Sequence, residues 1–217
     1  VSNSEDLGLA VSNVWAVTKR PNGEMWLGTD VGIQRFVNGR LENSVDSLGF
    51  ETGSIWCFFE DGEGGMGWGG SRGLGRLRDG KVTTLTKADG LPDNHVWSAL
   101  QSKDGIVWIG TETRGLVGYD GTVMTLIDQR DRLSGRFVIS LKMDSDGALW
   151  IGSLDGGLSR YKRSTEKPQL RFQAVDIEGS TYLGTNQIPS IFSGNHVRVH
   201  CQEIDFKTHP QKRQFVY

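Results

Sequence analysis

The sequence predicts an all-β fold in which one small antiparallel sheet is repeated about four times. Tryptophans recur at intervals of 42, 40 and 42 residues, and each opens a similar phrase: Trp26 in WLGTDVGI, Trp68 in WGGSRGL, Trp108 in WIGTETRGL and Trp150 in WIGSLDGGL. A period of about 40–45 residues is typical of a four-stranded propeller blade. No stretch shows a sustained helical period, so almost no helix is expected. We therefore predict a partial β-propeller of about four four-stranded blades.

The third repeat shows the expected order of strands most clearly. Strands are predicted at 96–101, 107–111, 116–119 and 123–127, with hairpin turns at Asp104-Gly105 and Asp120-Gly121. The other units repeat this order, with first strands that begin at Val14, Ile55 and Val138. First strands such as IWCFF are apolar on both faces, which suits a sheet packed between two neighbours. The tryptophan of each second strand is interpreted as a framework side chain that packs between blades.

Composition narrows the class of protein. Gly accounts for 30 of the 217 residues, which favours many tight turns, and the formal charge of −2 gives no general attraction to nucleic acid or anionic lipid. The two cysteines, Cys57 and Cys201, are predicted to be free thiols rather than a disulfide. No apolar run is long enough to span a membrane. The chain begins at Val1 and ends within a strand-like segment, so we expect a piece of a longer protein.

Two glycine motifs resemble catalytic or nucleotide-binding signatures but are interpreted as turns. The segment 69–73 matches G-x-S-x-G, yet a nucleophile elbow needs a following helix. Ser71 is instead aligned with Thr29, Thr111 and Ser153, which predicts a turn-capping hydroxyl. The segment 62–67 matches G-x-G-x-x-G but lies between two predicted strands, so it is interpreted as the hairpin of the second unit, enlarged by one residue.

Possible metal ligands are also interpreted as parts of strands and turns. His196 and His200 alternate with valines on a predicted strand, which places them about 13 Å apart, too far to chelate one ion. The segment 144–147, Asp-Ser-Asp-Gly, resembles the start of a calcium loop but lacks its later ligands, so a hairpin turn is favoured. No metal site and no cofactor are predicted.

Candidate ligand-binding residues lie in loops that a meander places on one rim. The loops after each second strand and the loops that join successive units share this rim, and polar residues that vary on a constant framework often build binding sites. The second set includes Asp93, Asn94 and Arg132. Arginines there would suit carboxylate, sulfate or phosphate groups. The predicted ligand-binding residues are Asp30, Arg72, Glu112, Arg114, Asp155, His95 and Arg136. The alternative is that they are ordinary solvated loop residues.

The repeat resembles a known family. The segment 89–121, DGLPDNHVWSALQSKDGIVWIGTETRGLVGYDG, is similar to the two-component regulator propeller repeat, and all four units match, the second least well. The segment 170–217 resembles the start of the β-sandwich called the Y_Y_Y domain, on Ile188-Pro189, VRV at 197–199, IDF at 204–206, Pro210 and RQF at 213–215. The resemblance implies propeller repeats over residues 1–165 and an incomplete Ig-like sandwich over residues 166–217.

The resemblance also implies a function. Such pairs form the extracytoplasmic sensor half of membrane-bound bacterial regulators, whose output half is a histidine kinase or sometimes a diguanylate cyclase. We therefore expect a periplasmic, non-catalytic module that senses a small molecule or oligosaccharide. We also expect self-association, as a homodimer or by completion of blades, and no direct contact with membrane or nucleic acid.

Two alternatives from other classes stay open. One is a propeller-type enzyme, a lyase or glycan hydrolase, which would need converging acid and base groups; His95 is the only histidine on the repeats. The other is a protein-interaction scaffold similar to WD-repeat proteins.

Overall fold

The computed structural model describes residues 13–43, 53–163, 169–183 and 192–204. Within these residues eighteen strands form five antiparallel sheets, which confirms the all-β prediction. The only helical segments in this part of the chain are two 3₁₀ turns, Lys87–Asp89 and Gln129–Asp131. Each turn begins with a capping box, from Thr86 and Asp128 respectively.

Three of the sheets are four-stranded meanders, as predicted. The first contains β1 (Val14–Lys19), β2 (Met25–Thr29), β3 (Gly32–Val37) and β4 (Arg40–Asn43). The second contains β5 (Ile55–Glu60), β6 (Met66–Gly70), β7 (Gly73–Arg78) and β8 (Lys81–Leu85). The third contains β9 (Val96–Gln101), β10 (Val107–Thr111), β11 (Leu116–Tyr119) and β12 (Met124–Ile127).

The fourth sheet differs from the predicted pattern, because its described part has three strands. These are β13 (Val138–Met143), β14 (Leu149–Ser153) and β15 (Gly157–Tyr161). The next described strand, β16 (Gln169–Ile177), pairs instead with β17 (Ser180–Leu183) and β18 (Val197–Ile204). The fourth sheet therefore has no outer strand among the described residues.

The described residues divide into two compact units, one ending at Lys162 and the other beginning at Arg163. The first unit holds the four repeated sheets, and the second holds the sheet β17-β16-β18. In the second unit the predicted strand around Val197–Val199 is present as β18, and His200 lies within it. The other residues on which the sandwich resemblance rests, 188–189 and 205–217, lie outside the described residues, so the sandwich stays a prediction.

Apolar side chains fill the spaces between successive sheets of the first unit. Trp26 and Ile33 of the first sheet meet Met66 and Trp68 of the second in one buried cluster. A second cluster joins the second and third sheets, and a third joins the third and fourth. The first strands β1, β5, β9 and β13 lie beside one another. This is the arrangement of propeller blades, with the first strand innermost.

Two of the repeated tryptophans face the sheet that follows them. Trp26 is 2% exposed and packs edge-on against Phe58, at 6.3 Å between ring centroids. Trp108 is 5% exposed and packs against Tyr161 in the same way, at 5.4 Å. Trp150, at the equivalent place in the fourth sheet, is 37% exposed, and the Arg160 guanidinium lies over its ring. Its burial is lower because no further sheet of the first unit follows it in the described residues.

Trp68 does not occupy the place that its sequence phrase predicts. Trp26, Trp108 and Trp150 each pair with the fifth residue of the preceding strand, whereas Trp68 pairs with the fourth residue, Phe58, and Gly67 pairs with Phe59. A shift of one residue turns a side chain to the other face of a sheet. Trp68 accordingly packs back against the first sheet, together with Trp26. The Phe59 ring occupies the space beside Gly67 that a tryptophan would fill.

The same register corrects two interpretations in the second unit. Its hairpin is not enlarged: five residues separate Glu60 from Met66, as five separate Gln101 from Val107. Ser71 is not aligned with Thr29 and Thr111, because Gly70 occupies that position. The Thr29 and Thr111 hydroxyls each donate to a turn carbonyl at 2.8 Å, whereas the Ser71 hydroxyl accepts from the Ser54 N–H at 3.1 Å. In both positions the hydroxyl forms a hydrogen bond to a backbone group outside the strands or at their ends.

Cys57 is a free, half-buried cysteine in β5, as predicted, and burial raises the pKa of its thiol to about 12. The side chain of Cys201 lies outside the described residues.

Candidate functional site

Every first strand of the repeats contains a β-bulge at the same place. Pairing with the second strand skips one residue in each sheet, and the skipped residues are Trp15, Trp56, Trp97 and Ile139. Bulges redirect a side chain and are frequent next to functional sites. Three of the four redirected residues are tryptophans, which are distinct from the framework tryptophans of the second strands.

The bulged tryptophans meet in one cluster. Trp56 and Trp97 stack with 4.2 Å between ring centroids and 10° between planes. Trp15 contacts Trp97 edge-on at 6.2 Å, and Phe137 does so at 5.2 Å. These residues come from the first, second, third and fourth repeats, so one aromatic cluster joins all four. Trp15 is 48% exposed, and the other three are half-buried.

Carboxylates from the predicted rim loops hold two of these indoles. The Trp15 Nε1–H donates to Asp30 at 2.7 Å, and the Asn13 side-chain amide donates to the other oxygen of the same carboxylate at 2.7 Å. The Trp97 Nε1–H donates to Glu112 at 3.3 Å. Asp30 and Glu112 both follow a second strand. The aromatic cluster therefore reaches the rim on which the sequence placed ligand-binding residues.

His95 lies between two carboxylates at this rim. Its Nδ1 is 3.6 Å from Asp93 and 3.7 Å from Glu112, and its ring centroid is 5.8 Å from that of Trp56. Burial of Asp93 acts to raise the pKa of its carboxyl, but hydrogen bonds from Thr113 and from the His95 N–H leave that pKa lowered. Asp93 is therefore an anion that fixes the two loops to each other.

The loops after β10 and β14 approach the linker before β13. The Gly115 N–H donates to the Arg136 carbonyl at 2.9 Å. Asp155 accepts from the backbone N–H groups of Phe137 and Arg136 at 2.9 and 3.2 Å, and these two bonds lower the pKa of its carboxyl. Arg114 and Arg136 thus line the same cleft, which has a volume of about 260 Å³.

The structure places the seven predicted residues in three groups. Asp30, His95 and Glu112 border the aromatic cluster, and Arg114, Arg136 and Asp155 lie at the adjoining cleft or beside it. Arg72 is separate from both. It lines a smaller cleft of about 60 Å³ against Ser54, Trp68 and Thr86. Arg72 and Arg114 were both predicted to suit anionic groups, but they do not share a site.

Sequence reasoning missed the aromatic cluster. Trp15, Trp56 and Trp97 are spaced by 41 and 41 residues, which is as regular as the spacing of the second-strand tryptophans. That regularity was a usable signal. What the sequence did not show is the bulge, which turns these rings out of the alternating pattern of the strand.

No group of His, Cys, Asp and Glu in the described ranges could hold a metal ion. None of the helices described is long and apolar enough to cross a membrane.

The fold and the aromatic rim define a propeller-type module, and comparison with known proteins supports this class. A family model described as two component regulator propeller matches residues 90–113 and 132–155. Two segments of the chain, in the third and fourth repeats, therefore match the two-component regulator propeller model. A search of curated proteins gives no match.

Solved structures with a similar fold include extracellular domains of two hybrid two component systems from B. thetaiotaomicron. One is 22% identical with a TM-score of 0.60, over 82% of this chain and 25% of that chain. The other is 20% identical with a TM-score of 0.61, over 80% of this chain and 24% of that chain. This chain spans about a quarter of the length of each. A streptogramin B lyase is 18% identical with a TM-score of 0.52, over 74% of this chain and 58% of that chain. These likenesses confirm the predicted propeller fold.

Proposed function

We propose that this chain is part of the extracytoplasmic ligand-sensing region of a membrane-anchored bacterial regulator, and that it binds an oligosaccharide without transforming it. The two-component regulator propeller matches and the extracellular domains of similar fold support the sensory role. The observation that carries the binding role is the aromatic cluster of Trp15, Trp56, Trp97 and Phe137.

The cluster has the properties of a sugar-binding surface. The C–H groups on the faces of a pyranose ring are slightly positive, and they pack against the negative face of an indole. Trp15 leaves about half of its surface open, at 48%, and Asp30 and Glu112 hold the Trp15 and Trp97 indoles at fixed angles. The neighbouring carboxylates and His95 can bond to hydroxyl groups. A partly exposed aromatic patch rimmed by polar groups is typical of a binding site.

Titration calorimetry with maltotriose and trigalacturonate tests this proposal. We expect at least one of the trisaccharides to bind the chain, and Trp97→Ala to weaken that binding by about tenfold or more, since aromatic anchors contribute about 2 kcal/mol or more to interfaces. Trp150→Ala is the matched control, because that indole is also partly exposed but lies outside the cluster. Binding that survives Trp97→Ala unchanged, or no binding by either trisaccharide, would contradict the proposal.

An enzyme is the second candidate, because the structure brings together acid and base groups that the sequence did not. His95 lies within 3.7 Å of both Asp93 and Glu112 at the rim. A histidine beside a carboxylate is a common general base. Mass spectrometry of each bound trisaccharide after prolonged incubation separates the two functions. Cleavage by the wild-type chain that is lost in His95→Ala would favour the enzyme, and an intact ligand supports sensing.

A further inference from the structure

The lining of the cleft beside the aromatic cluster carries more positive than negative charge. It is lined by Thr113, Arg114, Leu126, Asp128, Gln129, Arg130 and Arg136. Its lining thus has three arginines and one aspartate, whereas the whole chain has a formal charge of −2. The positive charge is therefore a local feature of this cleft.

One of the three arginines is already paired. Arg130 forms hydrogen bonds to both carboxylate oxygens of Asp128, with Nη2 at 2.7 Å and Nε at 3.2 Å. This pair holds the Asp128 carboxylate, which also caps the 3₁₀ turn. The charges of Arg130 and Asp128 offset each other, so this pair adds no net charge to the lining of the cleft.

The other two arginines have no such partner. Among the described residues, the guanidinium groups of Arg114 and Arg136 form no hydrogen bond and no ion pair, and both residues are exposed. Asp155 lies close to Arg136 and offsets part of its charge, but its oxygens accept backbone N–H groups. The Gly115–Arg136 hydrogen bond fixes the two backbones that carry these side chains. Two guanidiniums positioned in this way can donate several N–H groups to one anionic group.

Residues that line the cleft are close in sequence to residues of the aromatic cluster. Arg136 directly precedes Phe137 of the cluster, and Arg114 lies two residues after Glu112, whose carboxylate binds Trp97. The chain segments that carry the two arginines therefore also carry residues that belong to the aromatic cluster or hold it.

We propose that Arg114 and Arg136 form an anion subsite, so that the ligand of this rim is an acidic oligosaccharide bearing a carboxylate, sulfate or phosphate group. This inference rests on the proposed function for its oligosaccharide. Guanidinium bonds to carboxylate and phosphate are charge-assisted and well matched in geometry, which makes arginine suitable for all three groups.

Calorimetry on paired variants tests the subsite. The test variant is Arg114→Gln with Arg136→Gln, and the control is Lys81→Gln with Lys103→Gln, which removes the same charge from exposed residues outside the cleft. We expect wild type to bind trigalacturonate about tenfold or more tightly than maltotriose, since hydrogen bonds to charged groups are stronger than those between neutral groups. The test variant should reduce trigalacturonate affinity to that of maltotriose and leave maltotriose unaffected.

Further probes identify the chemical class of the anion, and they distinguish failure of the subsite from failure of the proposed function. Sodium sulfate, sodium phosphate and a sulfated trisaccharide, each used as competitor, identify the preferred group. Unchanged trigalacturonate affinity in the test variant, or an equal loss in the control variant, would overturn the subsite while leaving sugar binding intact. Arginine-dependent binding of sulfate or phosphate, without binding of any trisaccharide, would support the anion subsite and refute the proposed function.

Discussion

At the residue scale, two sets of tryptophans with the same spacing have different environments. Those of the second strands are framework residues, with Trp26, Trp68 and Trp108 at 2–6% exposed. Those of the first strands lie on bulges and meet at the rim. The side-chain type is identical, so the difference comes from the backbone that directs each ring.

Replacement of a framework tryptophan should destabilise the fold strongly. We expect Trp108→Ala to lower the free energy of unfolding by about 3–5 kcal/mol, because it removes a buried aromatic ring between the third and fourth sheets. Trp150→Ala, where the ring is 37% exposed, should cost about 2 kcal/mol or less. Urea unfolding measures both. Equal losses, or a loss below about 1 kcal/mol for Trp108→Ala, would refute the assigned packing.

Acid should weaken the fold through Asp144. A hydrogen bond from the Ala148 N–H, with others from Trp150 and Arg160, lowers the pKa of this carboxyl to about 2 from 3.8. A folded-state pKa below the unfolded one means that the carboxylate stabilises the fold above pH 3.8, and that this stabilisation is lost as the pH falls towards about 2.

Urea unfolding of Asp144→Asn across pH tests this stabilisation. The variant should be less stable than wild type at pH 6, and the difference should shrink as the pH falls below about 4. Asp79→Asn, in the β7–β8 turn, controls for the loss of one negative charge. A stability difference for Asp144→Asn that stays constant down to about pH 2 would contradict the assignment.

At the element scale, the repeat of tryptophan phrases predicted the order of strands in each sheet better than it predicted how those strands pair. The order of four short strands and the turns between them follow from apolar alternation and Asp-Gly pairs, both of which are local. The face on which Trp68 lies is not local, because it depends on pairing with Phe58 rather than Phe59. Alignment of the shared tryptophan therefore placed Trp68 and Ser71 one residue away from their structural equivalents.

The shifted register makes Gly67 essential to the second sheet. Because a Cβ at Gly67 would overlap the Phe59 ring, we expect Gly67→Ala to lower the free energy of unfolding by about 1–3 kcal/mol. The loss should be smaller in the background Phe59→Leu, where the ring is absent. Gly62→Ala is the control, since the nearest atom to its Cβ would be 3.8 Å away. If Gly67→Ala is as stable as wild type, Phe59 does not occupy this space.

The site was predictable in its loops but not in its centre. Meander topology indicated that the loops carrying Asp30 and Glu112 share a rim with His95, and the indole contacts bring all three to the aromatic cluster. The aromatic cluster itself depends on three bulges and on the convergence of four repeats. Arg136 lies beside Arg114, whereas Arg72 lines another cleft. This difference depends on which loops meet in space, and the spacing of residues along the sequence does not reveal it.

At the scale of the whole first unit, exposed apolar side chains are concentrated on its terminal sheets. Val17 of β1 is 59% exposed and Leu158 of β15 is 63% exposed, whereas no strand of the second or third sheet has a large apolar side chain with comparable exposure. Among the described residues of this unit, the middle sheets have a neighbouring sheet on each side, and the terminal sheets have one on one side. Uncovered apolar faces favour association.

We therefore propose that this chain self-associates through its terminal sheets. Sedimentation velocity should show a concentration-dependent dimer or larger species. Val17→Lys with Leu158→Lys should give a folded monomer, because charges on uncovered sheet faces oppose association. Val123→Lys, at an exposed apolar residue of the third sheet's hairpin turn, is the control and should associate as wild type does. A wild-type chain that stays monomeric at all concentrations would refute the proposal.

The central claim is that the first-strand tryptophans bind ligand while the second-strand tryptophans build the framework. Its most direct test is the indole N–H spectrum of the seven tryptophans, labelled with ¹⁵N and titrated with trigalacturonate and, separately, maltotriose. We expect the signals of Trp15, Trp56 and Trp97 to shift, while those of Trp26, Trp68, Trp108 and Trp150 stay in place. Shifts led by the second-strand tryptophans, or no shift with either trisaccharide, would contradict it.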